Sequence, residues 1–186
     1  MTFDKEKHDF LTKKDKSKKG IVDKEIQPLV KSINTLPNYY TKSSCAGRIV
    51  LLHKKSEKKQ ESSWLFIKHG PVTYAELKKA LTYIPDGEVW FKQEPLIMHV
   101  CCNTLADAVR LLKQSKGLFK RTGIIGIKNY ATVEIIGTDA LDTVIAHQGK
   151  ILVSDDYLKV LITEANKKLK RNSKKINEFY KIIRSF

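Results

Sequence analysis

No stretch of this chain approaches the ~20 consecutive apolar residues that a membrane-spanning helix needs, so no membrane association is expected. Cysteine is scarce: there are three, Cys45, Cys101 and Cys102, an odd number with two adjacent. That pattern speaks against a disulfide framework, and without CxxC spacing it marks no zinc site, so no metal is expected. The first residues, Met-Thr-Phe-Asp-Lys, lack the apolar core of a signal peptide, and the reading is a cytoplasmic protein with reduced thiols. Enzyme signatures are missing as well. There is no strand–GxGxxG–helix unit, no GK[ST] phosphate loop, no GxSxG and no HExxH, so no Rossmann-type cofactor site is visible. Acidic residues are in deficit, 20 against 35 Lys and Arg.

That deficit leaves a formal charge of +15, which favours polyanions through phosphate neutralisation and counterion release. Lysine-rich solvated faces give the same composition, so charge sets a direction and not a function. With 41% apolar and 30% charged residues over 186 positions, the chain reads as one globular domain, 1–186, with no repeat and no linker.

The pattern predicts a single α+β domain. A short helix falls within Thr2–Lys18, and a second carries Val22, Ile26, Leu29, Val30, Ile33 and Leu36 at helical spacing until Pro37 stops it. Strands are expected around Tyr39–Ser43, Gly47–His53, Trp64–Ile67, Glu88–Lys92, Leu96–Cys102, Gly123–Lys128, Thr132–Gly137, Val144–Ala146 and Lys150–Val153. Lys54–Ser62 reads as a polar surface loop. Thr73-Tyr-Ala-Glu76 has the pattern of a capping box, and Thr104-Leu-Ala-Asp107 opens another helix. From Ser154 onward, Leu158, Leu161, Ala165, Leu169, Ile176, Phe179 and Ile183 outline a long amphipathic helix. The expected architecture is a mixed, largely antiparallel sheet with helices packed on it from both ends of the chain.

The most informative stretch is Asn38-Tyr39-Tyr40-Thr41-Lys42-Ser43-Ser44-Cys45-Ala46-Gly47-Arg48-Ile49. A β-type run passes into small donors, a glycine that permits close approach, and an arginine able to grip an anion. Around it stand further candidates. Asp23 is a first-turn helix charge or an orienting carboxylate. His69 ends a strand before Gly70-Pro71, and Glu94 beside Pro95 is a corner charge or a partner. His99 interrupts the apolar run Leu96–Cys101, where a buried polar group without a partner costs roughly 1–3 kcal/mol. Lys120-Arg121-Thr122-Gly123 and His147-Gln148-Gly149-Lys150 are basic turns, solvated or phosphate-binding.

Taken together these pieces resemble the tRNA wybutosine-synthesizing protein 3 family, in family order over nearly the whole chain. They are Lys19–Asp23, the Ser43-Ser44-Cys45-Ala46-Gly47-Arg48 core, Trp64 with His69, Phe91-Lys92-Gln93-Glu94-Pro95-Leu96-Ile97-Met98-His99-Val100, Phe119–Ile124 and His147–Val153. Lys120 stands where the family favours an arginine, and Lys42 where it often has a small hydroxyl residue.

The resemblance implies a methyltransferase using S-adenosyl-L-methionine outside the Rossmann fold. Its implied target is ring nitrogen N-4 of a tricyclic guanosine-derived base next to the anticodon of phenylalanine tRNA. Methyl transfer from a sulfonium is a direct displacement, so alignment and an unprotonated acceptor nitrogen are what the protein must supply. Asp23 and His99 are the candidates for base or orienting group. Ser43, Ser44 and Arg48 are assigned to cofactor or substrate, with Cys45, His69, Glu94, Lys120 and His147 as further binding candidates. For Cys45, packing or hydrogen bonding is preferred to nucleophilic attack, since N-methylation requires no covalent enzyme intermediate. Two other readings compete: a non-catalytic RNA-binding protein stacking bases on Tyr39 or Tyr40, and a hydrolase pocket lined by Arg and Ser.

Overall fold

The computed structural model describes residues 2–12, 22–56 and 61–186. In chain order the elements are α1 (Phe3–Thr12), α2 (Gln27–Thr35), β1 (Tyr39–Cys45), β2 (Arg48–Lys54), β3 (Ser62–Lys68), α3 (Tyr74–Ala80), β4 (Glu88–Glu94) and β5 (Ile97–Cys102). They continue with α4 (Leu105–Lys116), β6 (Arg121–Gly126), β7 (Ala131–Ile136), β8 (Leu141–His147), β9 (Lys150–Ile151) and α5 (Asp155–Arg184). Every strand pair is antiparallel. The α+β class is as expected, and no parallel nucleotide-binding sheet exists among the described residues.

The strands divide between two sheets and the chain between two compact units. Unit 1 comprises Met1–Ala46, Leu96–Thr138 and Ser173–Phe186, and unit 2 comprises Gly47–Pro95 and Asp139–Asn172.

Unit 1 holds the four-stranded sheet β1-β5-β7-β6. Strand alternation sends Met98, Val100, Cys102, Val133 and Ile135 to one face. There they pack with Leu29 and Ile33 of α2, Leu111 of α4, and Ile176, Phe179 and Ile183 of α5, all buried. On the opposite face α1 covers one end, where Phe3 packs on Tyr40, Cys101 and Tyr130. Helix α2 starts later than the apolar spacing suggests because Pro28 lacks an N–H, which only the first turn tolerates. Lys13–Lys18 and the family piece Lys19-Gly20-Ile21 lie outside the described residues.

Unit 2 holds the five-stranded sheet β3-β2-β4-β8-β9. Ile49, Leu51, Val89, Phe91 and Ile145 face Leu77 of α3 and Leu158, Leu161, Ala165 and Leu169 of α5. The capping box of α3 is present, with Thr73 accepting the Glu76 N–H, and Ser154 accepts the Tyr157 N–H at the start of α5. Each leucine or phenylalanine buried in these cores contributes about 1.5–3 kcal/mol.

Neighbours in sequence separate here. β1 and β2 do not pair with each other, nor do β4 and β5, so Glu94-Pro95 is not a hairpin corner. Gly47 has φ +106°, and a Cβ there would lie 2.8 Å from the Glu94 carbonyl oxygen and 3.1 Å from Asn172 Nδ2. Only glycine fits.

Candidate active site

In unit 1 the register builds a polar row across three strands. Ser43 of β1 opposes His99 of β5, which opposes Glu134 of β7. A register shift between Thr41 and Ser43 sets this pairing. Directly opposed side chains lie about 5 Å apart at Cβ and share a face. Ser43 Oγ is 2.6 Å from His99 Nδ1, and His99 Nε2 is 2.9 Å from Glu134 Oε1. The His99 and Glu134 side chains are 25% and 30% exposed. His99 is therefore not an orphan in an apolar strand: it stands on the face away from Met98 and Val100, with a partner on each ring nitrogen.

Pleating separates the two serines. Ser44 opposes the fully buried Met98 and so lies on the core side, while Cys45 opposes Ile97 and shares the outer face with Ser43 and His99. Asp23 is 7% exposed, and its Oδ2 accepts the Ala46 N–H at 3.0 Å. It stands ahead of α2, where its carbonyl accepts from Ile26 and Gln27, so its side chain is not a first-turn helix charge. The carboxylate holds the exit of β1 in place. Lys120 is exposed just before β6, at the same end of the sheet as Cys45. It is three strand spacings, about 14 Å, across from it.

In unit 2 Arg48 and Glu94 oppose each other on β2 and β4 and form an ion pair, Nε to Oε2 at 2.5 Å. The Arg48 guanidinium lies 4.7 Å from the centre of the Trp64 ring, a cation–π contact. His69 follows directly on β3, whose Lys68 opposes Ile49 at this same end of the sheet. Its loop is fixed by Asn166 of α5, which accepts the Val72 N–H and donates to the Val72 carbonyl, both at 2.9 Å. Lys68 also holds the Glu76 carboxyl down at about 2, first through its hydrogen bond and then with Thr73.

His147 does not join this group. It opposes Glu88, six residues along β4 from Glu94, about 20 Å away. There it lines a groove of about 660 Å³ with Lys54, Lys55, Asp86 and Gln148.

Two tyrosines change role. Tyr39 and Tyr40 are 4% and 0% exposed, with hydroxyls donating to the Asp107 carbonyl and to Glu6. Burial foremost raises both phenols well above their ordinary range. They are core residues and offer no base-stacking surface. Cys102 is equally inert, its thiol pushed up to about 12, chiefly by burial.

Three residues escaped the sequence reading as site members. Glu134 was signalled by a carboxylate inside the run Thr132-Val133-Glu134-Ile135-Ile136. Trp64 carried an aromatic signal without its stacking role. Gln93 is fully buried, and neither its Oε1 nor its Nε2 has a partner among the described residues. No pattern in the sequence announces that.

These features sit in a chain with identifiable relatives. The model of the family Methyltransferase TYW3 matches residues 5–185. A mouse protein named tRNA wybutosine-synthesizing protein 3 homolog is 35% identical over 187 residues, covering 97% of this chain and 72% of that one. A Pyrococcus abyssi protein named tRNA(Phe) 7-((3-amino-3-carboxypropyl)-4-demethylwyosine(37)-N(4))-methyltransferase 1 is 36% identical, covering 87% of this chain and 85% of its own. A solved structure from Pyrococcus horikoshii superposes with a TM-score of 0.84 at 34% identity, over 89% of this chain and 87% of that one. The chain belongs to the TYW3 methyltransferase family.

Proposed function

We propose that this protein transfers a methyl group from S-adenosyl-L-methionine to ring nitrogen N-4 of a tricyclic guanosine-derived base beside the anticodon of phenylalanine tRNA. This is a step of wybutosine formation, carried out in the cytoplasm by residues 1–186 acting as one family domain. The observation that carries it is the family match over 5–185, which includes the Ser43–Arg48 core. No described helix is long and apolar enough to cross a membrane. The charge of +15 suits a polyanionic substrate.

The donor set of unit 2 fits S-adenosylmethionine. Its carboxylate, ammonium and planar adenine find counterparts in the Arg48 guanidinium, the Glu94 carboxylate and the Trp64 ring, which stand together and partly exposed. When bound, the cofactor supplies an electrophilic methyl on a sulfonium. Unit 1, taken by itself, carries a row able to take the proton that an acceptor nitrogen must lose. Ser43 and His99 take it, and Asp23 keeps the β1 exit in register for Ser43. Serine, histidine and carboxylate in a row also serve acyl transfer; the family match supports methyl transfer as the activity, and the row is read in that light.

The test is direct. Purified protein, S-adenosylmethionine and phenylalanine tRNA carrying the unmethylated precursor should yield a nucleoside heavier by one methylene in mass spectrometry. In addition, S-adenosylmethionine alone should raise the melting temperature of the free protein. If neither occurs, the reading is wrong. A melting shift without product would place the error in the nucleotide target.

A further inference from the structure

We propose that Glu134 is a positioning residue for this reaction: it fixes His99 in the tautomer with its proton on Nε2, leaving Nδ1 to receive the Ser43 proton. The inference rests on the roles of Ser43 and His99 given above and adds a residue they did not require.

For a neutral ring the geometry favours one assignment. An ionised carboxylate only accepts hydrogen bonds, so the ring nitrogen 2.9 Å from Glu134 Oε1 must carry the hydrogen. A neutral imidazole has one N–H, so Nδ1 bears the lone pair and Ser43, at 2.6 Å, donates to it. The lone pairs of Ser43 Oγ are then left for a donor from outside, and the N–H of an acceptor base is such a donor. Without the carboxylate, the opposite tautomer becomes available. Nδ1–H would then donate to Ser43, and the hydroxyl would have nowhere to pass a proton.

The sheet supports this division of labour. His99 stands between Ser43 and Glu134 in strict cross-strand register. On the far side of Glu134, β6 presents Gly123, whose missing side chain leaves nothing to compete for the carboxylate. Of the other ionisable groups on the strands packed around His99, Tyr39, Tyr40, Cys101 and Cys102 are buried, and Lys42 and Cys45 on β1 and Arg121 on β6 remain. Lys42 Nζ donates to Thr132, and Arg121 opposes Ile136, so neither takes the place of Glu134 beside the ring.

The step balances. The acceptor nitrogen forms the N–CH₃ bond, and the S–CH₃ electron pair stays on sulfur, which becomes a neutral thioether. The N–H proton passes to Ser43 Oγ as the Ser43 proton passes to His99 Nδ1. The resulting imidazolium is held by Glu134, the role a buried carboxylate plays toward a catalytic histidine elsewhere.

Three variants, read by NMR and by kinetics, test it. In ¹⁵N-histidine NMR of the free protein, wild type should show His99 protonated on Nε2, and Glu134→Leu should lose that preference. Glu134→Gln keeps the shape and can present either its oxygen or its amide to the ring, so it should give a mixture of tautomers. The kcat of both variants should fall about 10- to 100-fold, the lower part of what a positioned base supplies, with KM for S-adenosylmethionine unchanged. The acid limb of the kcat–pH profile should move to lower pH, because the imidazolium has lost its counter-charge. Glu134→Asp should recover part of the rate. An unchanged tautomer, or an unchanged rate with a switched tautomer, overturns the proposal. The NMR readout needs no turnover, so a wild type without methyl transfer would sink the functional reading while the tautomer still decides what Glu134 does to His99.

Discussion

The two units solve the same packing problem and then use their spare sheet face differently. Each is an antiparallel sheet with a buried aliphatic core between one face and its helices, and in unit 1 α1 also covers one end of the other face. On the other face, unit 1 sets a serine, an imidazole and a carboxylate in one hydrogen-bonded row. Unit 2 sets cations against carboxylates and indoles. Arg48 pairs with Glu94 over Trp64, Lys92 pairs with Asp142, and Lys54 lies 4.9 Å from the Trp90 ring centre. A row of neutral and ionisable hydrogen bonds moves protons, whereas a paired charge beside a ring holds a charged, flat ligand. The split predicts that mutations in unit 1 change kcat and its pH dependence, and mutations in unit 2 change affinity.

The largest effect should come from His99→Ala. Removing a positioned base lowers kcat by about 10²- to 10⁴-fold. Its partners are partly exposed and can turn to water, so stability should fall by only about 1 kcal/mol. If chemical denaturation shows activity loss tracking only the folded fraction, His99 is a structural histidine and the contrast between units fails.

Arg48→Lys comes next. Lysine keeps the charge but loses the planar fork that pairs with Glu94 and stacks on Trp64. A charge-assisted hydrogen bond is worth about 1.5–3 kcal/mol, so affinity for S-adenosylmethionine should fall roughly 10- to 100-fold by calorimetry. Unchanged affinity in a folded variant would remove Arg48 from the ligand.

Asn166→Ala tests the scaffold of unit 2. It leaves the N–H and carbonyl of Val72, a 3% exposed residue, without their partner. The expected loss is about 1–3 kcal/mol in urea unfolding, with a looser His69 loop. No loss would mean that water replaces the amide.

Salt separates the two kinds of binding. Affinity for tRNA should fall steeply from low to physiological salt, as several phosphate counterions are released. S-adenosylmethionine affinity should change little. The exposed lysines of α5 are the first surface to neutralise, but Lys167 is already paired with Glu164 and Arg171 with Asp139.

The smallest effect is a pH effect at Glu76. Its folded carboxyl titrates at about 2 against an ordinary value of 4.5, held down first by Lys68 and then by Thr73. A depressed carboxylate contributes stability that is complete above about pH 4.5 and is lost as pH falls toward 2. The melting difference between wild type and Glu76→Gln should therefore be constant near neutrality and vanish across that window. The group is exposed, so the difference should be small.

Periodicity and caps made the elements legible. The α5 stripe from Leu158 to Ile183, the Thr73–Glu76 box and most strands stand where their spacing places them. Strand partners were not legible. Alternation tells which face a residue takes, but nothing local says that β1 pairs with β5 rather than β2, or that Glu94 meets Arg48 across a ladder. The candidate site was legible as residue types, Ser43, His99, Arg48 and Glu94, and not as contacts. Ser44 turned to the core side and His147 to the far end of β4 because pleat and register decide those positions. Glu134 needed the third strand before its carboxylate had anything to orient.

The measurement that tests the account most directly is single-turnover methylation of precursor-bearing phenylalanine tRNA, followed by nucleoside mass spectrometry, with wild type and His99→Ala compared across pH. The account predicts one added methyl in wild type, at a rate about 10²- to 10⁴-fold above that of the variant. It predicts a residual, pH-independent rate in the variant. A wild type that adds no methyl, or a variant with the wild-type rate and profile, would contradict it.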